Sequence, residues 1–219
     1  MQPVYLTGHS RPVHKVIHNL EGDLLFSCSD DGTVCMYDTT QLVRIGVFNV
    51  KEACRSIDIT KDSKWLIAAA TTVGFHIYDV SNGKIKATVN VPGLFSKQVS
   101  LAFGDQILMC LYDNEKRSYI RLYDMPSILK GEEPKMLLQI DASKDYLLTN
   151  VVWGPKNETL IVSTNIGKIV VFNLEHGQLI EEKAIHAGDI YSLTITNDYT
   201  MLVSSGKDGS AKLLHPETL

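Results

Sequence analysis

His9, Ser29 and Asp31 place an imidazole, a hydroxyl and a carboxylate in one short stretch, and His186 and Asp208 repeat the outer two near the other end of the chain. These are the groups of nucleophilic hydrolysis, in which a base activates a serine that attacks an acyl carbon. Such a serine stands exposed on a sharp turn, commonly framed as G-x-S-x-G. Ser29 lies instead in Cys28-Ser29-Asp30-Asp31, at the end of an apolar-alternating run, and the later copy has Gly206 at the serine's place. A hydrolase using Ser29, His9 and Asp31 therefore ranks below a structural reading of the same residues, and no catalytic residue is expected.

Other chemistries fare worse. Gly83-Lys84, Gly167-Lys168 and Gly206-Lys207 are not followed by Ser or Thr, so they form no phosphate loop. His14 and His18 share a strand face with no third ligand close in sequence, too little for a zinc site. No metal or cofactor is expected. Cys28, Cys35, Cys54 and Cys110 show no C-x-x-C pairing. Cys28 and Cys35 are expected to face each other across a hairpin, as small core hydrophobes in a reducing compartment. Asn157-Glu158-Thr159 has the form of a glycosylation sequon. No charged-then-apolar leader follows Met1, so it reads as a polar turn after Gly154-Pro155.

Charge narrows the partners. Lys and Arg number 21 against 25 Asp and Glu, a net −4, which offers no global attraction to a phosphate backbone. The densest basic stretch, EKRSYIR (115–121), reads as a solvated hairpin face, and no direct nucleic-acid contact is expected. Apolar runs such as WLIAAA (65–70) and IVVF (169–172) are far too short to cross a bilayer. The expectation is a soluble, cytoplasmic protein with no membrane partner.

The elements that position these groups are short strands. VHKVIH (13–18), DLLFSCS (23–29) and TVCMYD (33–38) are rich in β-branched and aromatic residues and are separated by Gly22 and Asp31-Gly32. Asp-Gly suits a two-residue hairpin turn with both central residues at positive φ. Nothing shows a sustained helical period; SILKG (127–131) is long enough for one turn. The motif recurs. Tyr37-Asp38, Tyr78-Asp79, Tyr123-Asp124, Phe172-Asn173 and Leu214-His215 each end such a run, at intervals of 41, 45, 49 and 42 residues. His9 precedes Asp38 by 29 residues and His186 precedes His215 by 29. An all-strand repeat of this length is the signature of WD-repeat propeller blades. The expected units are 7–46, 47–87, 88–134, 135–180 and 181–219, with residues 1–6 as an outer strand of the closing blade.

In WD blades a loop His, a strand Ser or Thr, a turn Asp and a strand Trp form a buried hydrogen-bonded chain. By that pattern His9 pairs with Asp31, Ser29 bridges and Tyr37 replaces the Trp. The fifth unit keeps His186 and Asp208 but has Gly206 and Leu214 at the other two places, and Thr72, Arg117 and Ile166 hold the turn position in the middle units. A catalytic set would not decay unit by unit, whereas reinforcement can, because apolar packing between blades carries most of the stability.

LTGHSRPVHKVIHNLEGDLLFSCSDD (6–31), EEPKMLLQI (132–140), VVWGP (151–155) and SSGKDGSAKLLHPETL (204–219) resemble the family of subunit i of eukaryotic translation initiation factor 3, in order along the whole chain. NVKEACRS departs from it, standing where that family has another Gly-His opening. The resemblance implies a non-catalytic scaffold that docks on subunits b and g of the complex and reaches the small ribosomal subunit through it. It implies a subunit b contact that here includes Asp198, Leu213 and His215, the last in place of an acidic residue. Those positions also have plainer uses, Asp198 in shaping a turn and Leu213 in the core. The family has seven blades. The chain is therefore either the first five blades of a longer protein, the reading its last residues favour, or a five-bladed ring closed by PVYL (3–6). A scaffold in another pathway, such as receptor-kinase signalling, is the alternative.

Overall fold

The computed structural model describes residues 3–114 and 116–219. Among them the chain is almost wholly β, in antiparallel meanders that follow one another along the sequence as the blades of a five-bladed β-propeller. The first sheet holds β1 (Val13–His18), β2 (Leu24–Ser29), β3 (Thr33–Asp38) and β4 (Val43–Asn49). The second holds β5 (Cys54–Ile59), β6 (Trp65–Ala70), β7 (Gly74–Asp79) and β8 (Ile85–Asn90). The third holds β9 (Phe95–Leu101), β10 (Ile107–Asp113), β11 (Ser118–Asp124) and β12 (Met136–Asp141). The fourth holds β13 (Leu148–Trp153), β14 (Thr159–Thr164), β15 (Lys168–Asn173) and β16 (Leu179–Ala184). The fifth holds β17 (Ile190–Ile195), β18 (Leu202–Gly206) and β19 (Ala211–Leu214).

Sequence explains which strands lie inside. LLFSCS, WLIAAA, ILMCLYD and TLIVST are apolar or small on both faces, and they are the buried second strands of their sheets. The fourth strands, such as LIEEKA, alternate polar residues and stay exposed. The first strands bulge early, between Val13 and Lys15, Cys54 and Ile57, Leu148 and Asn150, and Ile190 and Ser192. Each bulge re-aims one residue at the strand's start.

Two compact units are distinguished, Met1–Tyr112 with Tyr123–Lys135, and Asp113–Leu122 with Met136–Leu219. In the first unit Phe26, Cys28, Val34 and Phe48 of the first sheet pack against Cys54, Ile57, Leu66 and Tyr78 of the second. Phe48 meets Tyr78 edge-on at 5.5 Å, a favoured arrangement of aromatic pairs. Polar groups stitch this seam and the next, between the second and third sheets. Ser56 Oγ accepts from Lys15 Nζ at 3.4 Å and from the Val99 amide at 3.2 Å, and Asp58 accepts from the Leu101 amide at 2.8 Å. In the second unit Ile161, Ile169 and Val171 pack against Ile190, Leu193 and Leu202.

Several expectations are corrected. The hairpin turn is not the two-residue kind: Gly32 N–H donates to Ser29 O, and of the turn residues only Gly32, at φ 80°, is left-handed. This is a type I turn closed by a left-handed glycine, which needs no positive φ from Asp31. Cys35 pairs with Ser27 and Cys28 with Val34, so the two cysteines point to opposite faces; Cys28 meets Cys54 instead. The 127–131 turn is longer than read, α1 (Met125–Lys130), capped by the Asp124 carboxylate and ended by Gly131 at φ 79°.

The unit boundaries at 46/47 and 87/88 fall inside β4 and β8, and β12 belongs to the third sheet rather than the fourth unit. The helix and the polar stretch up to 135 lead into an outer strand; they do not end a blade. Residues 3–6 form no strand and the fifth sheet has three strands, so the expected outer strand is not there; Met1 and Gln2 of that segment, and Glu115 of the basic stretch, lie outside the described residues.

Candidate functional site

The His–Asp pairs assemble where the loop before a first strand crosses the turn between the second and third. His9 Nδ1 lies 2.9 Å from Asp31 Oδ2 and its Nε2 lies 2.7 Å from Ser27 Oγ. An imidazole that donates Nδ1–H to the carboxylate is free to accept the serine's proton at Nε2. The Ser10 amide and the Thr33 hydroxyl complete the carboxylate's shell at 3.0 and 2.6 Å. Burial opposes ionisation of Asp31, but bonds from Thr33, the Ser10 amide and His9 outweigh it and hold the carboxyl at about 2. Tyr37 is buried, which raises its phenol's pKa, and its hydroxyl meets Ser27.

Near the other end the same set recurs. His186 Nδ1 is 3.0 Å from Asp208, Nε2 is 2.9 Å from Ser204 Oγ, and the Ala187 amide and Ser210 hydroxyl bind Asp208 at 3.1 and 2.7 Å. Bonds from Ser210, then His186, hold the Asp208 carboxyl far below the usual range.

The bridging serine is therefore Ser27, not Ser29. Ser29 Oγ donates to Arg11 O and accepts from the Asp31 amide, both at 3.1 Å, which fixes the turn and leaves the histidine to its neighbour. The fifth unit does not lack its serine either; Ser204 fills the place, and Gly206 sits under the His186 ring, where a Cβ would stand 2.4 Å from Nδ1.

Sequence reading also missed a clasp in the second sheet. Glu52 accepts from Thr72 N–H at 2.8 Å and Thr72 Oγ1 at 2.6 Å, an acid in the loop and a hydroxyl in the turn. The roles of the His–Asp pair are exchanged, and Thr72 at the turn position was its only trace.

Ser27–His9–Asp31 has the connectivity of a hydrolytic relay, but not its access. Ser27 is 5% exposed, in the middle of β2, with the His9 side chain at 6%. Ser204 is wholly buried. A nucleophile must meet its acyl carbon, and neither hydroxyl can. His14 pairs with Asp30 at 2.7 Å while His18 Nδ1 faces its neighbour Asn19 O, so the two histidines do not converge. Among the described residues no three His, Cys, Asp or Glu side chains group as metal ligands.

The three residues assigned to a partner lie on the fifth sheet. Asp198, in the loop between β17 and β18, accepts from Thr196 Oγ1 at 2.6 Å and from the Thr200 amide and hydroxyl at 3.1 and 2.8 Å, so its carboxylate shapes that turn. His215 follows β19 at the same end and is exposed, and Leu213 is 68% exposed on β19 itself, not in the core.

Comparison with known proteins agrees with this architecture. The WD domain, G-beta repeat family matches residues 2–38 and 177–214, the regions of the two histidine clasps. Eukaryotic translation initiation factor 3 subunit I of Drosophila melanogaster is 28% identical over the whole chain, which spans 68% of that protein. The human subunit I is 27% identical with the same coverage. Among solved structures the Cps50 (Swd1) β-propeller domain of Myceliophteria thermophila superposes with a TM-score of 0.78 over 94% of this chain and 67% of that one, at 16% identity, a likeness of fold. Consecutive antiparallel sheets, a clasp at each matched repeat and similarity along the entire length together make the chain a WD-repeat β-propeller that is similar from end to end to eukaryotic translation initiation factor 3 subunit I.

Proposed function

We propose that the protein is a non-catalytic, protein-binding scaffold of the translation initiation factor 3 complex, acting in the cytoplasm as the initiation complex assembles on the small ribosomal subunit. Similarity to subunit I from end to end of the chain is the observation that carries this reading. The buried hydroxyls support it, since they suit bracing and not turnover. Rigid sheets joined by exposed loops present docking surfaces without chemistry. Nothing in the molecule favours the receptor-kinase alternative.

Within the complex, subunits b and g are the proposed partners, with subunit b at the fifth sheet. An exposed leucine on a strand makes an apolar anchor, and His215 beside it a polar rim. Titrating the purified protein with subunit b tests the assignment. Leu213→Ala is expected to weaken binding roughly tenfold, the effect of losing an interfacial anchor worth more than about 1 kcal/mol. Unchanged affinity in Leu213→Ala and in His215→Ala would remove this sheet from the interface.

A further inference from the structure

Cys28 and Cys54 take no part in either clasp, and the fold brings their thiols together across two sheets. Cys28 lies near the end of β2, and Cys54 is the first residue of β5. The two strands pack directly on each other, and both sulfurs belong to the seam between the first and second sheets, at 0% exposure. The Cys54 thiol hydrogen-bonds the Cys28 sulfur, with the Ser56 carbonyl 3.6 Å away.

Lys15 completes the set. It pairs with Cys28 across β1 and β2, and its ammonium reaches Ser56 Oγ, two residues beyond Cys54, at 3.4 Å. The bond from Cys54 lowers the Cys28 thiol, with help from the amide and charge of Lys15 and against the effect of burial. The same bond, then burial, raises Cys54 well above the ordinary thiol range. One sulfur is thus suited to act as a thiolate nucleophile, and the other to keep its proton until a second step. The remaining cysteines are placed differently. Cys35 points to the opposite face of the first sheet, 3.9 Å from His9 Nδ1, and Cys110 lies in β10 of the third.

We propose that Cys28 and Cys54 form a redox site, joined by hydrogen peroxide into a disulfide that ties the first sheet to the second. The Cys28 thiolate attacks one peroxide oxygen and the O–O bond breaks, leaving a sulfenic acid on Cys28. The departing hydroxide takes the proton that Cys28 gave up and leaves as water. Cys54 then attacks the Cys28 sulfur; the S–S bond forms, and the sulfenic hydroxyl leaves with the Cys54 proton as a second water. Two thiols lose two electrons, and one peroxide is reduced to two waters. Because both thiols are buried, the reaction runs through local openings of the seam. In a reducing compartment the pair stays a dithiol until peroxide rises. Once formed, the link closes residues 28–54 into a loop and constrains the unfolded chain.

Treating the folded protein with hydrogen peroxide, then alkylating and mapping its peptides without reductant, tests the site. Two of the four thiols should be lost, with the Cys28 and Cys54 peptides joined and lighter by two hydrogens, while Cys35 and Cys110 remain thiols. The oxidised protein should melt several degrees higher, and dithiothreitol should reverse both changes. Cys54→Ser, checked for folding by circular dichroism, should stop at the sulfenic acid, which dimedone traps on Cys28. Thiols that stay reduced in the folded protein and react only in denaturant would overturn the proposal. So would a link through Cys35 or Cys110, or dimedone on a residue other than Cys28 in Cys54→Ser.

Discussion

His9 Nε2 and Ser27 Oγ stand 2.7 Å apart, with Asp31 2.9 Å from the other ring nitrogen. The contact joins loop, strand and turn of one blade in the way His186, Ser204 and Asp208 join those of the fifth. It carries the structural reading of both clasps: each polar group is satisfied inside the sheet, and removing one leaves its partners unpaired.

His9→Ala and His186→Ala should each destabilise the fold by about 1–3 kcal/mol, the cost of leaving buried partners unsatisfied. For a chain of this size that is a fall in Tm of roughly 2–10 °C, seen by differential scanning calorimetry. The two clasps share no residue, so the double variant should lose the sum of the two, within about 0.5 kcal/mol. Retained stability in His9→Ala would show that the imidazole braces nothing.

Ser27 and Ser29 should separate in a double-mutant cycle with His9. Ser27→Ala and His9→Ala remove one shared bond, and their free energies should couple by more than about 0.5 kcal/mol. Ser29→Ala costs its own two bonds and should be close to additive with His9→Ala. Coupling through Ser29 in place of Ser27 would reverse the assignment.

Acid should weaken the first clasp. Asp31 titrates at about 2 in the folded chain against an ordinary 3.8. A carboxyl depressed on folding contributes stability that is full above the unfolded value and is lost as pH falls through the folded one. Chemical denaturation should therefore show the wild type losing more stability than Asp31→Asn between pH 5 and pH 2.5. Parallel losses would mean that Asp31 is not held by its partners.

The repeat, its strands and both His–Asp pairs were legible because they rest on period and spacing, which a sequence displays directly. The choice between Ser27 and Ser29 was not. Two residues apart on a strand, they share a face, and only the height at which the His9 loop crosses the sheet selects one. Glu52–Thr72 stayed hidden because donor and acceptor exchange places, so no residue type repeats. Blade limits slipped because each fourth strand follows the aromatic-Asp marker across a turn and pairs backward, as β12 does beyond α1. The exposure of Leu213 was equally out of reach, since a strand pattern marks a face without saying what covers it.

We propose that the protein is a binding subunit of the initiation machinery. Purifying the tagged protein from its own cells and identifying what elutes with it, across sucrose-gradient fractions holding the small ribosomal subunit, tests this most directly. Stoichiometric recovery of other initiation factor 3 subunits in those fractions is the expected result. A protein that sediments apart from them, and elutes without any of them, would contradict it.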